Sequence, residues 1–364
     1  MNDGFKNKKK KATITDVARA AGVATGTVSR VFNRHADVNE EIRQRVLAAA
    51  NELGYVRLRQ RKSTRNSNSR KQGNIGVICF GMEDTLIQIP IISRALQGIE
   101  HLLSTEGRNL MLANIPQGDR IPLFLTEGKV EGLILKGPNQ GELPSTQASE
   151  LLKYIYRFPH IWLMGKLPGA QGDHCNFDTY EAGQLAARYF SEFGHRRVSF
   201  LNPKPGQVQF ERIKAAFQIA APNFGIEAGL LEIPRADHLD WPLPAITHQE
   251  NVDHLLDHWM QLPEAERPTG LFVPSDRTAI QLYTALSRRG LRAGKDVSVL
   301  SCNNEKTMTS NLHPTLASID VHAETIGHRA VDQLLWRINH PGEETDIEVL
   351  IKPDLVPGES MGQA

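Results

Sequence analysis

From Asn74 onward, short apolar runs rich in β-formers alternate with longer runs of helical periodicity, and no other feature restricts the fold as strongly. The strand-like runs are Ile75–Phe80, Leu110–Ala113, Gly132–Leu135, Ile161–Met164, Val198–Leu201, Gly270–Val273 and Val297–Ser301. Between them, helical spacing marks Ile91–Leu103, Glu181–Phe193, Gln209–Ala220, Asn251–Met260, Arg277–Arg288 and Glu324–Ile338. Near-continuous apolar strands are buried on both faces, which is the signature of parallel sheets wound with helices. The region 74–360 is longer than one sheet and its core accommodate, so two similar α/β lobes are expected.

The residues before Asn74 follow a different rule. Apolar side chains recur at helical spacing in three short bursts within Thr13–Tyr55. They are Ile14, Val17, Ala18 and Ala21; then Val28, Val31 and Phe32; then Ile42, Val46, Ala49, Ala50 and Leu53. Thr13 with Asp16 three residues on predicts a capping arrangement, and Gly22 ends the first helix. Asn39 followed by Glu40 and Glu41 suits the start of the third, because an amide oxygen and two carboxylates complement its positive end, and Gly54 closes it. The domain reading is therefore a basic arm (1–11), an all-α head (12–56), a linker (57–73) and a two-lobed core (74–360).

Charge separates these parts further. Residues 1–75 carry 17 Lys and Arg against 6 Asp and Glu, a net +11, whereas the rest has 25 against 35, a net −10. A basic head on an acidic body implies a polyanionic partner for the head alone. The linker RLRQRKSTRNSNSRKQG adds seven cations and no acid. Cys79, Cys175 and Cys302 lie far apart without metal-ligand spacing, as buried reduced thiols do. No export signal follows the lysine-rich start, and no apolar run approaches the ~20 residues of a membrane span, so a cytoplasmic, nucleoid-associated protein is expected.

The segment DVARAAGVATGTVSRVFN, Asp16–Asn33, reads as helix, tight turn at Gly22–Val23, and second helix. A helix that enters the major groove needs short polar residues and a base-reading Arg on its outer face. Thr25, Gly26, Thr27, Ser29 and Arg30 supply that face, while Val28 and Val31 turn inward. Arg bonds guanine in bidentate fashion, and Thr and Ser reach phosphates or thymine methyls.

The head segments TITDVARAAGVATGTVSRVFN and VNEEIRQRVLAAANELGY carry a close resemblance to the LacI/GalR family of bacterial transcriptional regulators. It continues through NIGVI, VEGLIL, NFDTYEAGQLAARYFSEFGHRRVSFL, DVSVLSCNNE, LHPTLASI and IGHRAVDQLL, over nearly the whole chain. The resemblance implies a helix-turn-helix head and a core of two Rossmann-like lobes, similar to periplasmic binding proteins, closing on a small ligand. Two copies then read a pseudo-palindromic operator on double-stranded DNA as a homodimer, and a carbohydrate-like effector shifts the affinity. The alternative is a constitutive DNA binder whose core ignores ligands. No cofactor and no enzymatic activity are expected; there is no Gly-rich phosphate loop or nucleophile elbow, and the His254/His258 pair in HLLDH lacks a third ligand.

Carried over by position, the DNA-binding set is Thr13, Thr25, Gly26, Thr27, Ser29, Arg30, Asn33, Tyr55, Arg61 and Lys62. Gly26 has no side chain for readout, and Ala24 replaces the usual capping Ser, so Thr25 is expected to cap the recognition helix. In the linker Thr64 stands where the family has a wedging Leu, so its contribution is expected to be electrostatic, with a log–log salt slope steeper than about −4. The ligand-binding set is Trp162, Asp178, Arg212, Asp276 and Asn303, with Ser275 and Asn303 both departing from the family pattern.

Overall fold

The structure, a computed structural model, describes residues 12–32, 38–53, 55, 73–81, 89–146, 148–235 and 252–364. The chain divides into two compact units, Met1–Ser69 and Arg70–Ala364.

The first unit holds α1 (Ile14–Ala21), α2 (Thr25–Phe32) and α3 (Glu40–Glu52). Local chemistry sets each boundary. Thr13 and Asp16 form a reciprocal capping box, and Gly22 ends α1 at φ 64°, a conformation a Cβ would strain. Asn39 caps α3 by accepting from the Glu41 N–H at 2.9 Å. Expected Gly54 lies outside the described residues; Leu53 is the C-cap. Val17, Ala18, Ala21, Val28, Val31 and Val46 form the buried centre, with Ile14, Phe32, Ile42 and Tyr55 packed around it. Arg45 of α3 donates to the Ala21 carbonyl at 2.6 Å, satisfying an orphan acceptor at the end of α1.

The second unit runs β1 (Asn74–Phe80), α4 (Pro90–Thr105), β2 (Asn109–Ile115), α5 (Leu123–Thr126), β3 (Val130–Lys136), α6 (Glu150–Ile155), β4 (His160–Leu163) and β5 (Asp173–Phe177). It continues with α7 (Thr179–Glu192), β6 (Arg197–Asn202), α8 (Val208–Ala220), β7 (Glu227–Glu232), α9 (Val252–Gln261), β8 (Gly270–Phe272), α10 (Asp276–Arg288), β9 (Ser298–Cys302), α11 (Lys306–Thr309) and β10 (Ala317–Asp320). α12 (Ala323–Asn339), β11 (Glu348–Ile351) and β12 (Asp354–Val356) complete it. Two six-stranded sheets result, ordered β11-β5-β4-β3-β1-β2 and β12-β10-β9-β8-β6-β7. Every pairing is parallel except β10 with β12.

This is the expected pair of doubly wound lobes, here called the first and second by sheet. The chain passes between the sheets three times: after β5 at Asp178, after β10 at 321–322, and after β11 at 352–353. α12 therefore returns to the first lobe, where it packs on α4, β3, β4 and β5. The three cysteines are buried and unpaired, and burial pushes the Cys79 thiol up to about 12. Among the described residues no helix is long and apolar enough to cross a membrane.

Candidate nucleic-acid interface and ligand cleft

Burial of Val28 and Val31 against α1 and α3 fixes the rotation of α2, so its opposite side faces outward. Thr25, Gly26 and Arg30 are exposed there, and Thr27 and Ser29 are half-buried. A Cβ added at Gly26 would meet no atom within 4 Å, so the backbone is open at that step. Neither the Thr25 hydroxyl nor the Arg30 guanidinium has a hydrogen-bond partner among the described residues. The expected Thr25 cap is therefore not formed. Ala24 occupies the cap position and its carbonyl accepts from Thr27 and Val28, which leaves Thr25 inside the helix with a free hydroxyl. Thr13 is engaged in its own cap, its hydroxyl 2.6 Å from Asp16 Oδ2. Tyr55 packs its ring on Phe32 at 5.7 Å between centroids. Asn33, Arg61 and Lys62, with the linker reading, lie outside the described residues.

In the second unit, backbone strain marks the carboxyl ends of the strands. Four non-glycine residues among those described have left-handed φ: Met164 at 51°, Asn303 at 110°, Asn304 at 52° and His322 at 54°. They follow β4, β9 and β10, the edge at which wound α/β sheets bind ligands, and such conformations persist where the surroundings enforce them. Here the lobes meet directly. The Val208 N–H donates to the Asn139 carbonyl at 2.6 Å, Gln140 to the Pro205 carbonyl at 3.0 Å, and Arg94 to the Asn304 carbonyl at 3.2 Å. Asn176 of β5 donates to Gln209 of α8 at 3.0 Å, leaving Asn176 Oδ1 and Gln209 Nε2 buried without partners.

No hydrogen bond or ion pair joins any two of the five expected ligand residues. Asn303 lies at this edge, its N–H bonded to the Ile319 carbonyl. Arg212 stands at the rim, 3.6 Å from Glu348, whose carboxylate also meets His174 Nδ1 at 3.0 Å. Burial pushes His174 down to about 4, so its ring is neutral at pH 7 and Nε2 accepts from the Gly165 N–H. Asp178 caps α7, accepting from Tyr180 and Glu181, and holds the first crossover through its own N–H to the Ile351 carbonyl.

Two of the five, Trp162 and Asp276, are buried. Trp162 is 1% exposed; its ring packs on Phe80 and its indole N–H donates to the Gln171 carbonyl at 2.7 Å. Asp276 is fully buried and accepts from Ser301 at 2.5 Å, Ser318 at 2.7 Å and the Glu305 N–H at 2.5 Å. These contacts tie the Asn303–Glu305 turn to β9 and β10.

Two residues at this edge escaped the sequence reading. Lys136 ends β3 and is 2% exposed, with Nζ bonded to the Gly137 carbonyl at 2.8 Å and Asn139 Oδ1 at 2.9 Å. No carboxylate pairs with it among the described residues, and burial lowers its pKa to about 8. Glu305 is 3% exposed with Oε1 unpartnered; burial first, then the Asp276 charge, raise its carboxyl to about 7 against the pull of the Ile91 N–H, Arg277 and Arg94. The available signal was a lysine closing the apolar run VEGLILK and an acid in the strained turn after DVSVLSCNN.

Residues 13–57 match the model for bacterial regulatory proteins of the lacI family, and residues 187–361 match a periplasmic binding protein-like domain. The chain belongs to the LacI family. Among relatives of this LacI-family protein are the HTH-type transcriptional repressor PurR of Aliivibrio fischeri, 26% identical over 338 residues, and that of Salmonella arizonae, 26% over 353. The first alignment spans 92% of this chain and 94% of the relative, the second 95% of each. Solved structures share the fold: a transcriptional regulator CelR–cellobiose complex (TM-score 0.62, 21% identity) and the lac repressor dimer bound to operator and the anti-inducer ONPF (0.60, 22%). Each covers 96% of this chain and 99% of the other. A LacI family regulator from Enterococcus faecium with bound ribose aligns at 0.61 and 20% identity, over 79% and 99%.

Proposed function

We propose that this chain is a non-enzymatic, cytoplasmic and nucleoid-associated repressor of transcription, two copies of which read a pseudo-palindromic operator through α2, and that a small sugar-like ligand between the lobes modulates the affinity. The observation carrying the DNA reading is the outer face of α2, where Thr25 and Arg30 are exposed and without partners among the described residues while Val28 and Val31 lock the helix from behind. Arg30 reads a guanine, Thr25 a neighbouring base or phosphate, and the bare backbone at Gly26 admits close approach. PurR relatives are repressors and the lac repressor is an operator-bound dimer, which supports the same arrangement here. Selection of genomic fragments by the purified protein, repeated with Arg30→Ala, tests it. A short inverted repeat lost in the variant is expected; salt-sensitive binding without a shared motif overturns the reading.

Modulation follows from the crossovers. Rotation of one lobe about Asp178, 321–322 and 352–353 makes or breaks the contacts from Asn139, Gln140 and Arg94, and a ligand that favours one arrangement shifts DNA affinity by about 1–3 kcal/mol. Lys136 narrows the ligand class. An enclosed ammonium among neutral acceptors favours a ligand carrying a negative group, such as a sugar acid or sugar phosphate. Thermal-shift comparison of neutral sugars, sugar acids and sugar phosphates distinguishes these, and a core that responds to none of them is ligand-insensitive.

A further inference from the structure

Away from the cleft, two histidines and a glutamate converge on the outer side of the first lobe. Glu324 and His328 stand four residues apart on α12, so both project from one helix face, one turn from each other. His101 approaches from α4. One ligand atom from each of the three lies within 4.8 Å of the other two, and the imidazoles of His101 and His328 sit edge to face at 5.6 Å between centroids. None of the three side chains has a hydrogen bond or ion pair to a described residue, although two are half-buried. Elsewhere in this unit, charged side chains on neighbouring helices pair with each other, as Arg289 at the end of α10 does with Asp253 and Asp257 of α9.

The helices beneath hold this geometry rigidly. A Cβ on Gly98 would fall 2.1 Å from the Glu324 carbonyl oxygen, and one on Gly327 would fall 2.1 Å from the Ala95 carbonyl oxygen. The two backbones therefore touch where only glycine permits it, which brings side chains three and one residues further along within reach of one centre. Zinc binds imidazole nitrogen and carboxylate oxygen at about 2.0–2.2 Å, so its ligand atoms sit about 3.3 Å apart; small side-chain rotations bring these three to that spacing.

We propose that His101, Glu324 and His328 form a binding site for a borderline divalent transition metal, zinc in the first instance, with one coordination position left open. Two imidazoles and one carboxylate suit Zn2+ and Co2+ and disfavour Mg2+ and Ca2+, which prefer oxygen-only shells. The bound ion staples α12 to α4. α12 begins just after the second crossover and α4 carries Arg94, which reaches the second lobe, so the staple braces the part of the first lobe from which the lobes move. Unlike this trio, His254 and His258 on α9 are exposed and gain no third ligand among the described residues.

The test uses the full chain stripped by chelation and titrated with Co2+, read by the visible absorption of a four- or five-coordinate site, with Zn2+ displacing the signal. A saturable one-to-one band is expected, lost in His101→Ala and in His328→Ala and weakened about tenfold or more in Glu324→Gln. The double variant His254→Ala/His258→Ala leaves it unchanged. Zn2+ at about a hundred times its Kd raises the Tm of the parent by about 5 °C, that of Glu324→Gln by less, and that of His101→Ala and His328→Ala by none. Circular dichroism verifies that each variant remains folded. No band with the parent, a band that survives loss of either imidazole, or a band lost only in the α9 variant overturns the proposal.

Discussion

Replacing Lys136 by Met removes an enclosed charge that has no counter-ion among the described residues. The ammonium is held to about 8 where an exposed lysine titrates near 10.5, and that difference corresponds to about 3 kcal/mol of cost for keeping the proton. The unfolded chain binds more protons than the folded one between these values, so stability rises with pH across this window. The full cost is present below pH 8 and disappears above 10.5. Met removes it but leaves Asn139 Oδ1 and the Gly137 carbonyl without their donor, at about 1 kcal/mol each. Lys136→Met is therefore expected to be about 1 kcal/mol more stable than the parent at pH 7, and less stable at pH 10. Urea denaturation of both proteins at fixed concentration, from pH 7 to pH 10, measures the difference while other titrating groups cancel. The stability advantage of the variant should fall by about 2 kcal/mol over that range. A difference independent of pH would refute the reasoning, because it would mean that a counter-charge already holds the ammonium at an ordinary value. The same variant should lose the response to anionic ligands in thermal shift and keep operator binding.

Glu305 titrates in the opposite sense: a carboxyl raised to about 7 holds its proton longer in the folded state, so its contribution is most favourable below pH 4.5 and is lost as pH rises through 7. Relative to Glu305→Gln, the parent should lose about 3 kcal/mol between pH 4.5 and pH 8, measured by chemical denaturation. Asp173 is buried and held by Arg337, Gln333 and the Ile347 N–H, so Asp173→Ala should cost about 3–5 kcal/mol and lower the Tm of the core by roughly 10 °C in calorimetry. Gly26→Ala meets no steric obstacle and should raise helix stability by up to about 1 kcal/mol, while fluorescence anisotropy on the selected operator reports whether the added methyl disturbs base contact.

Sequence alone determined the head and the class of the core. α1 and α3 begin where Thr13, Asp16 and Asn39 place side-chain acceptors, and α1 ends where Gly22 tolerates a left-handed turn; these are interactions within a few residues, so they are readable in order. The wound sheets were legible for a related reason: strands such as NIGVICF and VEGLILK are covered on both faces and read as apolar runs. The outward set Thr25, Gly26 and Arg30 followed from the inward pattern of Val28 and Val31.

What the sequence hid depends on partners far along the chain. β5, DHCNF, has the composition of a loop, yet all five residues are buried. Asp173 is held by Arg337, His174 by Glu348, and the Asn176 amide N–H by Gln209, each supplied by an element that only the folded sheet brings near. The short edge strands β7, β11 and β12 likewise carry little pattern of their own. At the cleft, Trp162 and Asp276 were expected to face a ligand because of where they stand in the chain. Tertiary packing buried both, the ring against Phe80 and the carboxylate against Ser301, Ser318 and the Glu305 N–H, because a buried polar group must be satisfied and a large ring is most stable out of water. Packing also left Lys136 enclosed with no counter-charge among the described residues, and drew His101 to Glu324 and His328 across the contact of Gly98 and Gly327, separations of more than two hundred residues that no local periodicity encodes.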